Sequence, residues 1–194
     1  RLPGPRKYFH DTWPQVRLDL RFMDSEKACS AVLHGEIELA IKASVRHPVA
    51  RWVHECAAVG DRVRVSQGQG PFVYLPEMSD NVVLIGGGVG VTPLLSIFRH
   101  VRDAQLSTRV NLVYSVSDSN EILFRDELDA AARSHNNLHV SLTVTQPDAN
   151  WRGLTGRIDP VKLHALDVPD DTLYYLCGPQ GMVEGHRQDR MVGL

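Results

Sequence analysis

The stretch that most constrains this chain is Asn81-Val82-Val83-Leu84-Ile85-Gly86-Gly87-Gly88-Val89-Gly90-Val91-Thr92-Pro93-Leu94-Leu95-Ser96-Ile97-Phe98. It opens with an unbroken apolar run rich in β-branched residues, the pattern of a strand buried on both faces of a parallel sheet. Glycines at 86, 87, 88 and 90 then let the backbone turn tightly and come close to a ligand. Pro93 has a fixed φ and no N–H, which suits the first turn of a helix. Leu94, Leu95, Ile97, Phe98 and Val101 follow at helical spacing as one apolar face. Strand, glycine turn and helix start together aim free backbone N–H groups and a positive helix end at an anion, usually a phosphate. From Gly88 the motif reads G-x-G-x-x-P, with Pro93 where the dinucleotide fingerprint has its third glycine.

The 194 residues are enough for one large or two small domains with a real core. A net charge of −2 gives no reason to expect nucleic acid or an anionic membrane as partner. Residues 81–98 carry no charge, but glycines and a proline interrupt them, and they fall short of the roughly 20 apolar residues of a membrane span. The three cysteines, Cys29, Cys56 and Cys177, are far apart and form no Cys-x-x-Cys, so neither a disulfide framework nor a metal cluster is indicated. His135 and His139 are four apart, but Asn136 and Asn137 break a helix between them, and no metal site is expected. No Gly-x-Ser-x-Gly elbow supports a hydrolase. The chain begins at Arg1 rather than Met, so it reads as a fragment or a processed form, and no intact targeting peptide can be read from it.

Two regions differ in pattern. Val16–Phe22, Glu36–Lys42 and Asp61–Ser66 alternate apolar and polar residues, as half-exposed antiparallel strands do, with a short helix expected after Pro48. From residue 81, apolar strands alternate with helices: Val82–Ile85 and the helix from Pro93, Val110–Tyr114 and a helix across Glu121–Arg133 with Ser119 as its N-cap. Leu138–Val144, a helical turn at Asp159–Leu163, and Leu173–Cys177 complete the series. Such alternation implies parallel βαβ units. The expected fold is α/β: an incomplete antiparallel barrel over 1–78, followed by a parallel-sheet nucleotide-binding domain over 79–194, apparently truncated at its end.

Three further segments follow the glycine turn in order. They are Tyr114–Phe124, Trp151-Arg152-Gly153-Leu154-Thr155-Gly156-Arg157-Ile158, and Leu173-Tyr174-Tyr175-Leu176-Cys177-Gly178-Pro179-Gln180-Gly181-Met182. With that order the chain resembles the ferredoxin-NADP reductase-like flavoproteins, and Arg51-Trp52-Val53-His54-Glu55-Cys56 is similar to a run in a mitochondrial branch of that family. The resemblance implies an oxidoreductase that passes hydride between a nicotinamide and FAD, and electrons onward to an acceptor it does not identify, such as a redox protein. It implies that Gly86, Gly87, Gly88, Val89, Gly90, Val91, Thr92 and Pro93 seat the dinucleotide and that Arg157 meets its pyrophosphate. Cys177, Gly178, Pro179 and Met182 would border the nicotinamide, with Cys177 and Thr92 on its two sides as the catalytic pair. Ser115 and Asp118 would lie by the adenosine ribose, where Ser117 and Asp118 stand in place of the arginine used for NADPH. A carboxylate there accepts from a free ribose hydroxyl and repels a phosphate, which leans toward NADH; a solvated turn explains Asp118 equally well. For Cys177 the alternative is a small buried hydrophobe. FAD would contact His47, Pro48, Val49, Trp52 and Ser30.

The flavin half departs from the family pattern. The Arg-x-Tyr-Ser run and the Pro-Gly-Gln strand are absent, with Ala28-Cys29-Ser30-Ala31 as a remnant of the former, and Ala50 replaces the usual serine near the flavin phosphate. Glu184–Leu194 is polar and lacks the terminal aromatic, so marginal stability is expected. The rival function is therefore a nucleotide-binding module that has lost flavin redox activity. The resemblance places the protein in the mitochondrion, with the cytoplasm as the alternative.

Overall fold

The computed structural model describes residues 48–58, 61 and 72–186. The alternating runs expected to form the barrel fall outside these residues, apart from Asp61. The chain divides into two compact units between Pro71 and Phe72, rather than at the 78/79 boundary that the change of pattern suggested. In the first unit, Pro48–Glu55 forms helix α1, with Val53 buried and an exposed Arg51–Glu55 pair at 3.9 Å.

The second unit is built on five strands: β1 (Asn81–Gly87), β2 (Arg109–Val116), β3 (Leu138–Val144), β4 (Leu154–Thr155) and β5 (Leu173–Cys177). Their order is β4-β3-β2-β1-β5 and every neighbouring pair is parallel. Val82–Ile85 at the centre of β1 are fully buried, as an apolar run between two parallel neighbours requires. Register aligns Val82 with Val110 on one side and Leu173 on the other, and Val110 with Leu138.

Strand alternation sorts the side chains onto two faces. On one, Val82, Leu84, Leu112, Tyr114 and Tyr175 pack with Leu94, Leu95 and Phe98 of α2 (Val91–Asp103) and Leu128 of α3 (Arg125–Ser134). On the other, Val83, Ile85, Val113 and Leu176 meet Ile158, Leu163 of α4 (Pro160–His164) and Met182 of α5 (Gln180–His186). The chain winds outward from β1 to β3 on the first face, then returns beside β1 through α4 on the second, as right-handed crossovers demand.

The helix expected to start at Glu121 begins instead at Arg125. A 3-10 turn at Ser119–Glu121 precedes it, and Phe124 adopts a left-handed φ of 58°. Asp118, not Ser119, caps that turn, since its carboxylate Oδ1 accepts the Asn120 N–H at 2.8 Å. Helix α2 begins at Val91, which puts Pro93 in its first turn, where a missing N–H costs nothing.

A charge clamp joins α2 to α3. Arg99 donates to Glu127 through Nε (2.8 Å) and Nη2 (2.6 Å), and Arg102 Nη1 donates to Glu127 Oε1 at 2.7 Å. The Arg99 guanidinium also lies over the Phe124 ring at 4.8 Å, bracing the left-handed residue. Burial pulls the Glu127 carboxyl upward, but the hydrogen bonds from Arg99 and Arg102 outweigh it and hold it below its ordinary value. The stabilisation is therefore complete above the ordinary carboxylate range and is lost as pH falls through the depressed value. Glu127→Gln should destabilise the protein by about 1–3 kcal/mol at pH 7. In urea unfolding, the gap between variant and wild type should narrow on acidification; a gap constant from pH 7 to 3 would contradict this assignment.

Candidate functional site at the carboxyl edge of the sheet

All strands are parallel, so the segments singled out in the sequence emerge at one edge. Gly86 aligns with Tyr114 and Cys177, and Gly87 with Ser115. Gly156 is tied to the end of β3: its N–H donates to the Val144 carbonyl (2.9 Å) and its carbonyl accepts from the buried Thr143 hydroxyl (2.8 Å). The glycine turn, the β2 exit, the Gly156-Arg157 turn and the Cys177-Gly178-Pro179 turn thus share the carboxyl side. The connections after β1 and β5 leave toward opposite faces of the sheet, the switch point beside which open α/β sheets take their ligands.

The glycines divide into two kinds. Gly88 has φ +54° and open space where a Cβ would stand, so its conformation demands glycine while leaving the surface clear. Gly87 and Gly90 instead permit a close contact between two loops. A Cβ on Gly90 would collide with the Cys177 carbonyl and come within 2.8 Å of Gly178 Cα; one on Gly87 would meet Pro179 at 2.7 Å and Met182 Sδ at 2.9 Å. Gly178 is held reciprocally, since a Cβ there would strike Met182 and reach within 3.1 Å of Gly87. The sequence reading gave all these glycines to ligand approach. In the structure Gly87, Gly90 and Gly178 seat the Cys177 turn against the β1 turn.

Thr92 is exposed at the start of α2 and donates to the Val89 carbonyl at 3.0 Å, while Val91 is buried beneath it. Val89 stands out into solvent and Pro93 is half-buried. Cys177 is a half-buried free thiol, and burial pushes it up from its ordinary value, so it is protonated and uncharged at neutral pH. That favours a neutral pocket wall over a nucleophile.

Arg157 is exposed and makes no side-chain hydrogen bond or ion pair among the described residues, although its carbonyl accepts from Lys162 Nζ at 2.8 Å. Gly156, at φ +78°, orients this cation at the edge. Asp118 is exposed; one carboxylate oxygen is spent on Asn120, through both its N–H and its Nδ2 (2.9 Å). Pro48, Val49 and Trp52 lie on α1, whereas Ser30 and His47 fall outside the described residues. No helix among the described residues is long and apolar enough to cross a membrane, and they contain no metal-binding cluster.

One feature had no signal in residue spacing. A groove of about 590 Å³ beside β3 is bordered by Ser119, Arg125, Asp148 and Trp151. Arg125 lies over the Trp151 ring at 5.6 Å, and Asp148 Oδ1 accepts the Asn150 and Trp151 N–H groups at 2.8 and 2.9 Å. The groove adjoins the Asp118 turn through a Ser119–Asp148 hydrogen bond at 3.4 Å. Only pairing of β3 with β2 and β4 brings these residues together.

A model of the oxidoreductase NAD-binding domain matches residues 84–188, more than half the chain. An "NADH-cytochrome b5 reductase-like protein" of Arabidopsis thaliana is 36% identical over 155 residues, covering 77% of this chain and 46% of that protein. "Oxidoreductase NAD-binding domain-containing protein 1" of Danio rerio is 36% identical over 168 residues, covering 77% and 62%. Among solved structures, a ferredoxin NADP+ reductase from Neisseria gonorrhoeae with bound FAD and NADP is 26% identical, with a TM-score of 0.58 and coverage of 75% of this chain and 62% of that one. The chain thus spans about half the length of the curated relatives it matches.

Gly90→Ala should destabilise the protein by about 1–3 kcal/mol through overpacking against the Cys177 turn. Gly181→Ala, where nothing crowds an added Cβ, should leave stability nearly unchanged. Equal midpoints for the two variants in thermal unfolding would refute the loop-contact role.

Proposed function

Because this chain belongs to the ferredoxin-NADP reductase-like family, with its oxidoreductase NAD-binding domain, we propose that it is an NADH-dependent flavin oxidoreductase. The observation that carries this reading is the gathering of the β1 glycine turn, the Asp118 turn, Arg157 and the Cys177 turn along one edge of a parallel sheet.

The residues fit a dinucleotide. Gly88 leaves an uncrowded surface at the start of α2, and Arg157 is a cation with no partner for its side chain among the described residues, suited to a pyrophosphate. Cys177 and Thr92 flank the nicotinamide in this proposal, and Gly178, Pro179 and Met182 close the pocket behind it. Gly86, Gly87, Val89, Gly90, Val91 and Pro93 shape the turn that faces the phosphates, and Ser115 and Asp118 serve the adenosine end. FAD takes Pro48, Val49 and Trp52 of α1 with Ser30 and His47; α1 has no acidic residue in its first turn to repel a phosphate.

When bound, the two cofactors supply hydride exchange between their rings, and the protein's task is alignment and exclusion of water. The protonated Cys177 thiol keeps the nicotinamide wall free of negative charge. Asp118 Oδ2, unengaged among the described residues, accepts from a ribose hydroxyl and disfavours a phosphate there. By analogy with the b5 reductase relatives, the electron acceptor is a small redox protein of the cytochrome b5 type. A nucleotide-binding module without flavin chemistry is the second reading, favoured by the absent Arg-x-Tyr-Ser run.

A visible spectrum of the purified protein with added FAD, followed by anaerobic NADH, separates the two. The reductase reading expects a retained flavin band that NADH bleaches; NADH binding without flavin retention leaves only the module. The double variant Ser117→Arg with Asp118→Ser should shift the NADPH/NADH ratio of kcat/KM upward by about tenfold. An unchanged ratio would remove Asp118 from cofactor selection.

A further inference from the structure

At the opposite end of β2 from the carboxyl edge, two hydrogen-bond donors have no acceptor among the described residues. Asn111 is 5% exposed, yet its Nδ2 has no partner. The Arg109 Nε is buried and likewise unpartnered. Arg109 is only half exposed, and its guanidinium makes no ion pair among the described residues; the aspartates of the loop before β5, Asp167, Asp170 and Asp171, leave it unpaired. Its backbone N–H is already used by the Asp80 carbonyl at 2.8 Å. Buried donors of this kind are rare because each keeps the full cost of losing water.

The two are not scattered. Arg109 and Asn111 are two apart on one strand and so lie on the same face, the one on which Val113 packs. In register with Asn111, the neighbouring strand places His139, which is exposed and stands on that same face at the open side of the cluster. A cation and an amide donor, with an exposed histidine in register beside them and no carboxylate pairing with them among the described residues, suit acceptor atoms carrying negative charge. We infer that Arg109, Asn111 and His139 form a binding site for a small oxyanion, of the phosphate or carboxylate class. It lies roughly 13–20 Å along β2 from Ser115, so it is independent of the dinucleotide reading.

The test uses the whole chain and inorganic phosphate, titrated against chloride at matched ionic strength and followed by thermal unfolding and calorimetry, with acetate as a second probe. The wild type should show a saturable, phosphate-specific rise in melting temperature. Arg109→Gln should weaken the binding by about tenfold or more, and His139→Gln, a surface change that leaves the core intact, should weaken it measurably. Asn111→Leu should abolish the response while being no less stable than wild type without phosphate, because the orphaned amide is gone. Arg157→Gln, at the nucleotide edge, should respond as wild type does. Acetate binding through the same three residues would identify a carboxylate site, and phosphate alone a phosphate site. The inference falls if neither anion gives a saturable response, if the response survives Arg109→Gln and His139→Gln, or if it disappears in Arg157→Gln alone.

Discussion

The described part of this molecule depends on β1 having a parallel neighbour on each side. That arrangement buries Val82–Ile85 completely and makes the strand apolar along its whole length. It also obliges β1, β2, β3 and β5 to end at the same edge. The crossovers then go to opposite faces on either side of β1, and the switch point beside it follows from chain direction alone. No side chain has to be specially placed for the four turns to converge.

What the side chains contribute is closeness and charge. The Cys177 turn can press on the β1 turn only because Gly87, Gly90 and Gly178 have no Cβ, which makes the glycine signature partly a packing device. The same edge also carries Gly88 with open space beside it, the exposed Thr92 hydroxyl, Arg157, a cation unpaired among the described residues, and the protonated Cys177 thiol. Farther along the edge, Tyr114, fully buried, holds the turn after β2, with its hydroxyl accepting the Leu123 N–H at 3.3 Å. Glu127 ties the two helices of that layer through three charge-assisted bonds. The turn after β2 is thus braced from behind by the core.

Much of the nucleotide unit was legible in the residues. The spans Leu138–Val144 and Leu173–Cys177 match the strands themselves, and the apolar face from Leu94 to Val101 is the buried face of α2. These are long, strongly periodic segments whose burial leaves few alternatives. The start of α3 was misjudged because a left-handed phenylalanine is a tertiary outcome: Phe124 is held by the Arg99 guanidinium and the Glu127 clamp, neither of which is visible locally. The cap was misassigned by one residue because Ser119 and Asp118 are both good caps, and only backbone geometry chooses between them. The two-residue strand β4 carries too little pattern to register at all. The groove at Arg125 and Trp151 was equally hidden, because its walls come from three separate segments, around Arg125, Ser141 and Trp151, that only the folded sheet brings together.

By itself, then, the sequence determined the class of the domain and the order of its longer strands and helices up to β5, because burial periodicity and glycine turns act over a few neighbouring residues. It also carried the family, through motifs kept in a particular order. Only the tertiary structure decided which glycines serve packing and which face a ligand, since that depends on what the opposite loop places within a few ångströms. It alone decided that Arg109 and Asn111 sit together with no acceptor among the described residues, because the pairing of β2 with β3 and the packing of the second face determine which polar groups are cut off from water.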